Sequence, residues 1–146
     1  MSSVKRSVRH DEANIAMLAG RLLDRRVRPA FEDERWQGLR QSHLRLLHLL
    51  PEEGATITEH AAALRMTKQG CGQLVRRLED LGYVATAPDA HDRRVRRVRR
   101  TRTGDEVVAA VAARFREIEA EMADLVGPRR YATFRAVLEE LGSAKG

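Results

Sequence analysis

A single cysteine, Cys71, rules out an intrachain disulfide, and no CxxC pair or Cys/His cluster stands at metal-ligand spacing anywhere in the chain. No metal and no other cofactor is expected. Aromatic residues make up only 4% of the sequence, against 42% apolar and 33% charged residues, a balance that suits a helix-rich soluble protein better than a β-sandwich or a disordered tail. No apolar run approaches the ~18 residues that cross a bilayer, and the basic stretch 1–10 lacks the apolar segment of a signal peptide. A cytoplasmic protein with no membrane partner is the expectation. His43, His48 and His60 sit in no arrangement with Cys, Ser or Asp that would activate a nucleophile, so no enzymatic activity is expected either.

What the chain does have is positive charge, unevenly placed. Its 146 residues are the size of one compact domain and carry a formal net charge of +6. Residues 65–102 hold eleven cations, nearly all arginine, against four anions, a net of +7 that leaves the rest of the chain at −1. A few basic residues on one helix usually form a solvated face. An arginine-dominated block on a neutral body points instead to a partner of dense negative charge, because guanidinium grips phosphate in a fixed bidentate geometry. Nucleic acid is the leading candidate.

Periodicity supplies the frame. Ile15, Leu18, Ala19 and Leu22 recur at helical spacing within 12–28, which Pro29 closes. A second helical pattern runs from Leu39 through Leu44, Leu46 and Leu47 to Leu50 and stops at Pro51 in a Pro-Glu-Glu-Gly turn. Thr56 and Glu59 fit a capping box opening a short helix over 56–64. Thr67 caps the next, which runs to Leu81 with Cys71, Leu74, Val75 and Leu78 as its apolar stripe and Gly82 as its stop. Two short helices about a tight turn at Arg65-Met66 make a helix-turn-helix. Tyr83–Ala85 and Val95–Arg100 read as strands around Pro88-Asp89-Ala90-His91, an arginine-loaded hairpin or wing. From Thr101 a long helix places Val108, Val111, Phe115, Ile118, Met122 and Leu125 at alternating steps of three and four, a repeat suited to packing against another helix. Gly127-Pro128 breaks it. A last helix aligns Tyr131, Phe134, Leu138 and Leu141.

This order, together with Leu78-Glu79-Asp80-Leu81-Gly82-Tyr83-Val84 and the wing's Asp92-Arg93-Arg94 followed by Thr101 and Gly104, resembles the MarR family of winged helix-turn-helix regulators. The wing matches the family's D-x-R-x5-L-T pattern and its following glycine in spacing. Arg100 stands where that pattern has leucine, His60 where the helix before the turn usually has leucine, and glycines occupy positions 70 and 72 of the recognition helix. Each glycine costs a helix about 0.5–1 kcal/mol relative to alanine. The implied fold is mainly α with a small β-wing: a winged helix-turn-helix plus a helical dimerisation region. The expected divisions are a disordered basic arm over 1–10, an N-terminal dimerisation helix and loop over 11–38, a DNA-binding domain over 39–104, and C-terminal dimerisation helices over 105–146.

A helix-turn-helix reads DNA by laying the first turns of its second helix in the major groove. Lys68, Gln69 and Gln73 occupy those turns away from the apolar stripe, and Gln73 is the leading base reader because glutamine both donates to and accepts from adenine. Arg76 and Arg77, further along, suit phosphate. The resemblance implies that Asp92 holds Arg94 for entry into the minor groove, where narrow walls concentrate negative potential; Arg96 joins them as a wing cation. It also implies a cleft for a small aromatic or anionic effector, lined here by Trp36, Arg40 and His43. Cys71 lies in the apolar stripe and reads as a small hydrophobe, not a redox sensor. Two functions follow: a ligand-responsive repressor that binds a pseudo-palindromic operator on double-stranded DNA as a homodimer, or a sequence-tolerant architectural DNA-binding protein without an effector.

Overall fold

The structure, a computed structural model, describes residues 12–36 and 38–145; the basic arm expected over 1–10 lies outside them. Helix α1 (Ile15–Leu22) is capped by Asn14, whose side chain accepts the Met17 N–H at 3.0 Å. Pro29 does not end the helical path. The chain continues through a π turn at Leu23–Val27 and a 3-10 turn at Arg28–Glu32, with Pro29 in the opening turn of the latter, where a missing N–H costs nothing. A further short turn at Glu34–Trp36 leads to α2 (Gln41–Leu49).

The helix-turn-helix follows the sequence signals closely. In α3 (Ile57–Leu64) the expected capping box is present: Thr56 N–H donates to Glu59 Oε2 at 3.0 Å, and Glu59 N–H donates to Thr56 Oγ1 at 3.2 Å. The turn places Arg65 in the left-handed region at φ 54°, and α4 (Lys68–Asp80) opens with Thr67 Oγ1 accepting the Gly70 N–H. Gly82, at φ 82°, ends α4 and delivers the chain into the wing.

The wing has one strand more than the sequence pattern gives. Strand β1 (Ala55–Thr56) is too short for alternation to betray, and it pairs antiparallel with β3 (Arg96–Arg100), which in turn pairs with β2 (Val84–Pro88), for the order β1-β3-β2. Gly54, at φ 82°, presses against β3 so closely that a Cβ there would collide with the Val98 carbonyl and the Arg99 side chain.

Thr101 opens α5 (Arg102–Val126) and binds it to the end of α4. Its hydroxyl accepts the Gly104 N–H and donates to the Gly82 carbonyl at 2.6 Å. Gly104 is required because the helix packs onto the Tyr83 carbonyl, with no room for a side chain. One core, built from Trp36, Leu46, Leu47, Leu78, Val84 and Val98 among others, unites α2, α3, α4 and the sheet. Val107 from α5 joins it, and Ile118 is buried further along the helix.

The outer end is different. Gly127, at φ 92°, turns the chain into α6 (Pro128–Ser143), none of whose residues is buried. It is tied to α5 through Glu119, which accepts the Tyr131 hydroxyl at 2.7 Å and pairs with Arg135 at 3.1 Å. Burial and that carboxylate push the Tyr131 phenol up to about 12.

Candidate nucleic-acid interface

Helix α4 divides cleanly into two faces. Cys71, Val75 and Leu78 are buried, with burial pushing the Cys71 thiol above its usual range, so the small-hydrophobe reading of this residue stands. Lys68, Gln69, Gln73, Arg76 and Arg77 are all exposed. Gln69, Gln73 and Arg76 follow one another at steps of four and three, and Arg77 lies one turn beyond Gln73, so amides and guanidiniums line a single solvent-facing ridge. The two glycines weaken this helix differently: a methyl at position 72 would meet open space, whereas one at position 70 would crowd the Thr67 cap.

The wing follows α4 and is joined to it where the Thr86 hydroxyl donates to Glu79. Asp92 Oδ1 accepts both the backbone N–H of Arg94 at 3.1 Å and its Nε at 3.3 Å, the expected anchoring, while the Arg94 side chain is 91% exposed and projects into solvent. A pair this open adds little stability; its effect is to bias direction. Arg96 folds back onto Thr86 Oγ1 at 3.0 Å, and the Thr86 hydroxyl donates to Glu79 at 2.8 Å, so this wing cation is linked to α4 while remaining exposed.

Of the expected effector-binding residues Trp36, Arg40 and His43, the first and last are buried and Arg40 is exposed. Trp36 is buried, its Nε1–H donating to the Ala30 carbonyl at 3.1 Å with the Arg35 guanidinium stacked 5.0 Å from the ring. His43 is buried too, and its Nδ1 accepts the Arg40 N–H at 3.0 Å, closing the start of α2. Burial, with Arg40 and Arg77 adding to it, pushes the His43 pKa down. A neutral ring already spent on a helix cap is a poor grip for an anion.

Sequence reasoning missed two internal arginines. Arg100 donates from Nη1 to the Leu47 and Leu50 carbonyls at 2.8 and 2.6 Å and from Nε to Asp105 at 2.7 Å. Arg97 donates from Nε to Asp89 at 2.9 Å and from Nη1 to the Gly54 carbonyl at 2.9 Å. Within a run of arginines nothing marks these as inward; alternation about Val98 separates the strand's faces but names no partner. Among the described residues no group of His, Cys, Asp and Glu is placed to hold a metal ion, and no helix is long and apolar enough to cross a membrane.

A helix-turn-helix flanked by a three-stranded sheet, with a polar ridge on the second helix and an arginine at the hairpin tip, defines a winged helix-turn-helix protein. Residues 37–95 match the sequence model of the MarR family. Over this region the chain is similar to the MarR family, and the similarity of fold to solved structures extends through the flanking helices. No curated protein matches the sequence. Among solved structures, the fold aligns with the reduced form of MarR from E. coli at a TM-score of 0.74 and 16% identity, covering 88% of this chain and 96% of that one. The S. aureus MepR–DNA complex aligns at 0.70 with 21% identity, covering 90% and 98%. S. aureus MepR bound to ethidium bromide aligns at 0.64 with 21% identity, covering 91% and 97%.

Proposed function

We propose that this chain is a transcription regulator of repressor type that binds a pseudo-palindromic operator as a homodimer, α4 in the major groove and the wing in the minor groove of each half-site. The observation that carries this reading is the exposed ridge Lys68, Gln69, Gln73, Arg76 and Arg77 on the second helix of a helix-turn-helix, followed by a wing whose Arg94 is exposed. Its setting within the cell is then the cytoplasm, with the DNA. MepR, of the same fold, has been captured on DNA.

The homodimer draws its support from uncovered apolar surface. Ile15, Leu18 and Leu23 near α1, Leu125 at the end of α5, and Phe134, Leu138 and Leu141 on α6 are all exposed, and Leu125 and Phe134 line one cavity with Leu22, so these helices leave apolar side chains uncovered. A two-fold partner would cover them and set two recognition helices about one DNA turn, ~10 bp, apart. An effector finds support away from Trp36 and His43. A cavity of about 290 Å³ between α1 and the α5–α6 corner has apolar walls from Leu22, Met122 and Phe134 and two guanidiniums, Arg26 and Arg130, which suits a small aromatic anion held at the subunit boundary. Ethidium-bound MepR is a precedent for a small aromatic ligand on this fold, though a cationic one.

The experiment is a footprint across the DNA flanking the chain's own gene, followed by competition with random duplex. A regulator protects one symmetric site and prefers it by ~10³ or more. Uniform affinity would instead select the architectural reading, which the short base-reading set and the many arginines favour.

A further inference from the structure

The loop that carries Arg94 is braced from inside the protein. Arg97 is 25% exposed and Asp89 only 12%, and both lie on the side of the hairpin facing the start of α3. The Arg97 guanidinium spans two elements: Nε donates to Asp89 Oδ1 at 2.9 Å, Nη1 donates to the Gly54 carbonyl at 2.9 Å, and Glu59 lies 3.9 Å away. Asp89 Oδ2 in turn accepts the backbone N–H groups of His91 and Asp92, each at 3.0 Å. The Asp89 N–H donates to the Val95 carbonyl, and the Val95 N–H to that of Asp92, so both ends of the loop are closed. Contacts thus run unbroken from the segment before α3, through Arg97 and Asp89, to Asp92 and the side chain of Arg94. The Arg97 guanidinium and the two N–H donors hold the Asp89 carboxyl down at about 2, so the pair stays ionised at any working pH.

We propose that Asp89 and Arg97 are positioning residues for DNA binding, locking the 89–95 loop against the base of the helix-turn-helix so that Arg94 meets the minor groove at a fixed distance from α4. This rests on the reading of α4 and the wing as a duplex-DNA interface. It assigns to Arg97 a role that its place in a basic run disguises: its charge faces a carboxylate and a carbonyl, not a phosphate. A lysine there has no planar fork with which to hold both partners at once.

Three variants separate bracing from plain electrostatics. Asp89→Asn removes a negative charge from the wing, so a field effect alone would tighten DNA binding; loss of the brace weakens it, by about tenfold if one charge-assisted contact's worth of ordering is lost. Arg97→Lys keeps the charge and should bind as poorly as Arg97→Gln. Arg97→Gln should weaken binding when Arg94 is present and change little in an Arg94→Ala background, because it acts through Arg94. Equal losses in both backgrounds, full activity of the lysine variant, or tighter binding by Asp89→Asn would each overturn the proposal. Amide hydrogen exchange over residues 90–95 supplies a readout independent of DNA: it should accelerate in folded Asp89→Asn at an otherwise unchanged exchange pattern, and unchanged exchange there would also overturn the brace. Failure of the wild-type protein to bind any duplex would refute the DNA interface itself, leaving exchange to decide the brace.

Discussion

His60 shows how a polar residue occupies a position at which the resemblance to the MarR family implies leucine. It is 1% exposed, and its Nε2 lies 3.0 Å from the Leu46 carbonyl. Burial pushes its pKa down, so the folded protein keeps it neutral and Nε2–H is the donor. Together with His43, likewise depressed, it makes the fold acid-sensitive. The unfolded chain takes up protons near the usual histidine value of about 6.5 while the folded one resists. Stability is therefore complete above that value and falls as pH drops through it. His60→Leu leaves the Leu46 carbonyl with its Leu50 N–H donor, so the variant should fold. Its melting temperature should fall less between pH 7.5 and 5.5 than that of the wild type; an unchanged fall would contradict the buried, neutral histidine.

Among the elements, helix starts and stops were the most legible features because each has a chemical signature confined to a few neighbouring residues. Thr56 with Glu59, Thr67 with Gly70, Gly82 and Gly127-Pro128 all act as the sequence implies. Features that depend on distant partners were not legible. Strand β1 exists only because β3 offers it an edge, and Arg100 has meaning only through α2. Since Pro51 has no N–H, the Leu47 carbonyl lacks the donor that would continue the helix, and Arg100 supplies one while pairing Asp105 at the start of α5. Arg100→Leu would install the residue that the wing pattern usually carries and yet should cost about 1–3 kcal/mol, the range for a buried polar group left without its partner. Denaturant unfolding measures it directly. The salt dependence of DNA binding should stay the same, because this guanidinium faces carbonyls; a shallower slope would mean that it meets phosphate.

At the scale of the whole molecule the exposed face of α4 was legible and the burial of Trp36 and His43 was not. An amphipathic helix announces its exposed face by spacing, and Lys68, Gln69, Gln73, Arg76 and Arg77 are all found on it. Residue type singles out Trp36 and His43 but says nothing of burial, and both are buried. The long helix shows the same division, since its regular apolar repeat serves two purposes: Ile118 is buried inside the protomer, whereas Leu125 is exposed. Ile118→Glu would therefore unfold the chain without testing assembly. Leu138→Glu and Leu141→Glu, at positions 56% and 73% exposed, are the informative changes. They should leave a folded protomer that sediments as a monomer, with operator affinity lost along with two-site binding. A wild-type monomer at micromolar concentration would remove the need for a partner.

The central claim, that α4 reads bases while the wing supplies charge, is tested most directly by measuring Gln73→Ala and Arg94→Ala on operator and random duplex over a range of salt. Gln73→Ala should lose ~1–3 kcal/mol on the operator and little on random DNA, lowering the specificity ratio. Arg94→Ala should weaken both and flatten the salt dependence by about one unit, because the minor groove offers a degenerate pattern and a concentrated potential. Equal losses on every sequence from both variants would contradict base reading by α4, and no loss from either would contradict the interface as a whole.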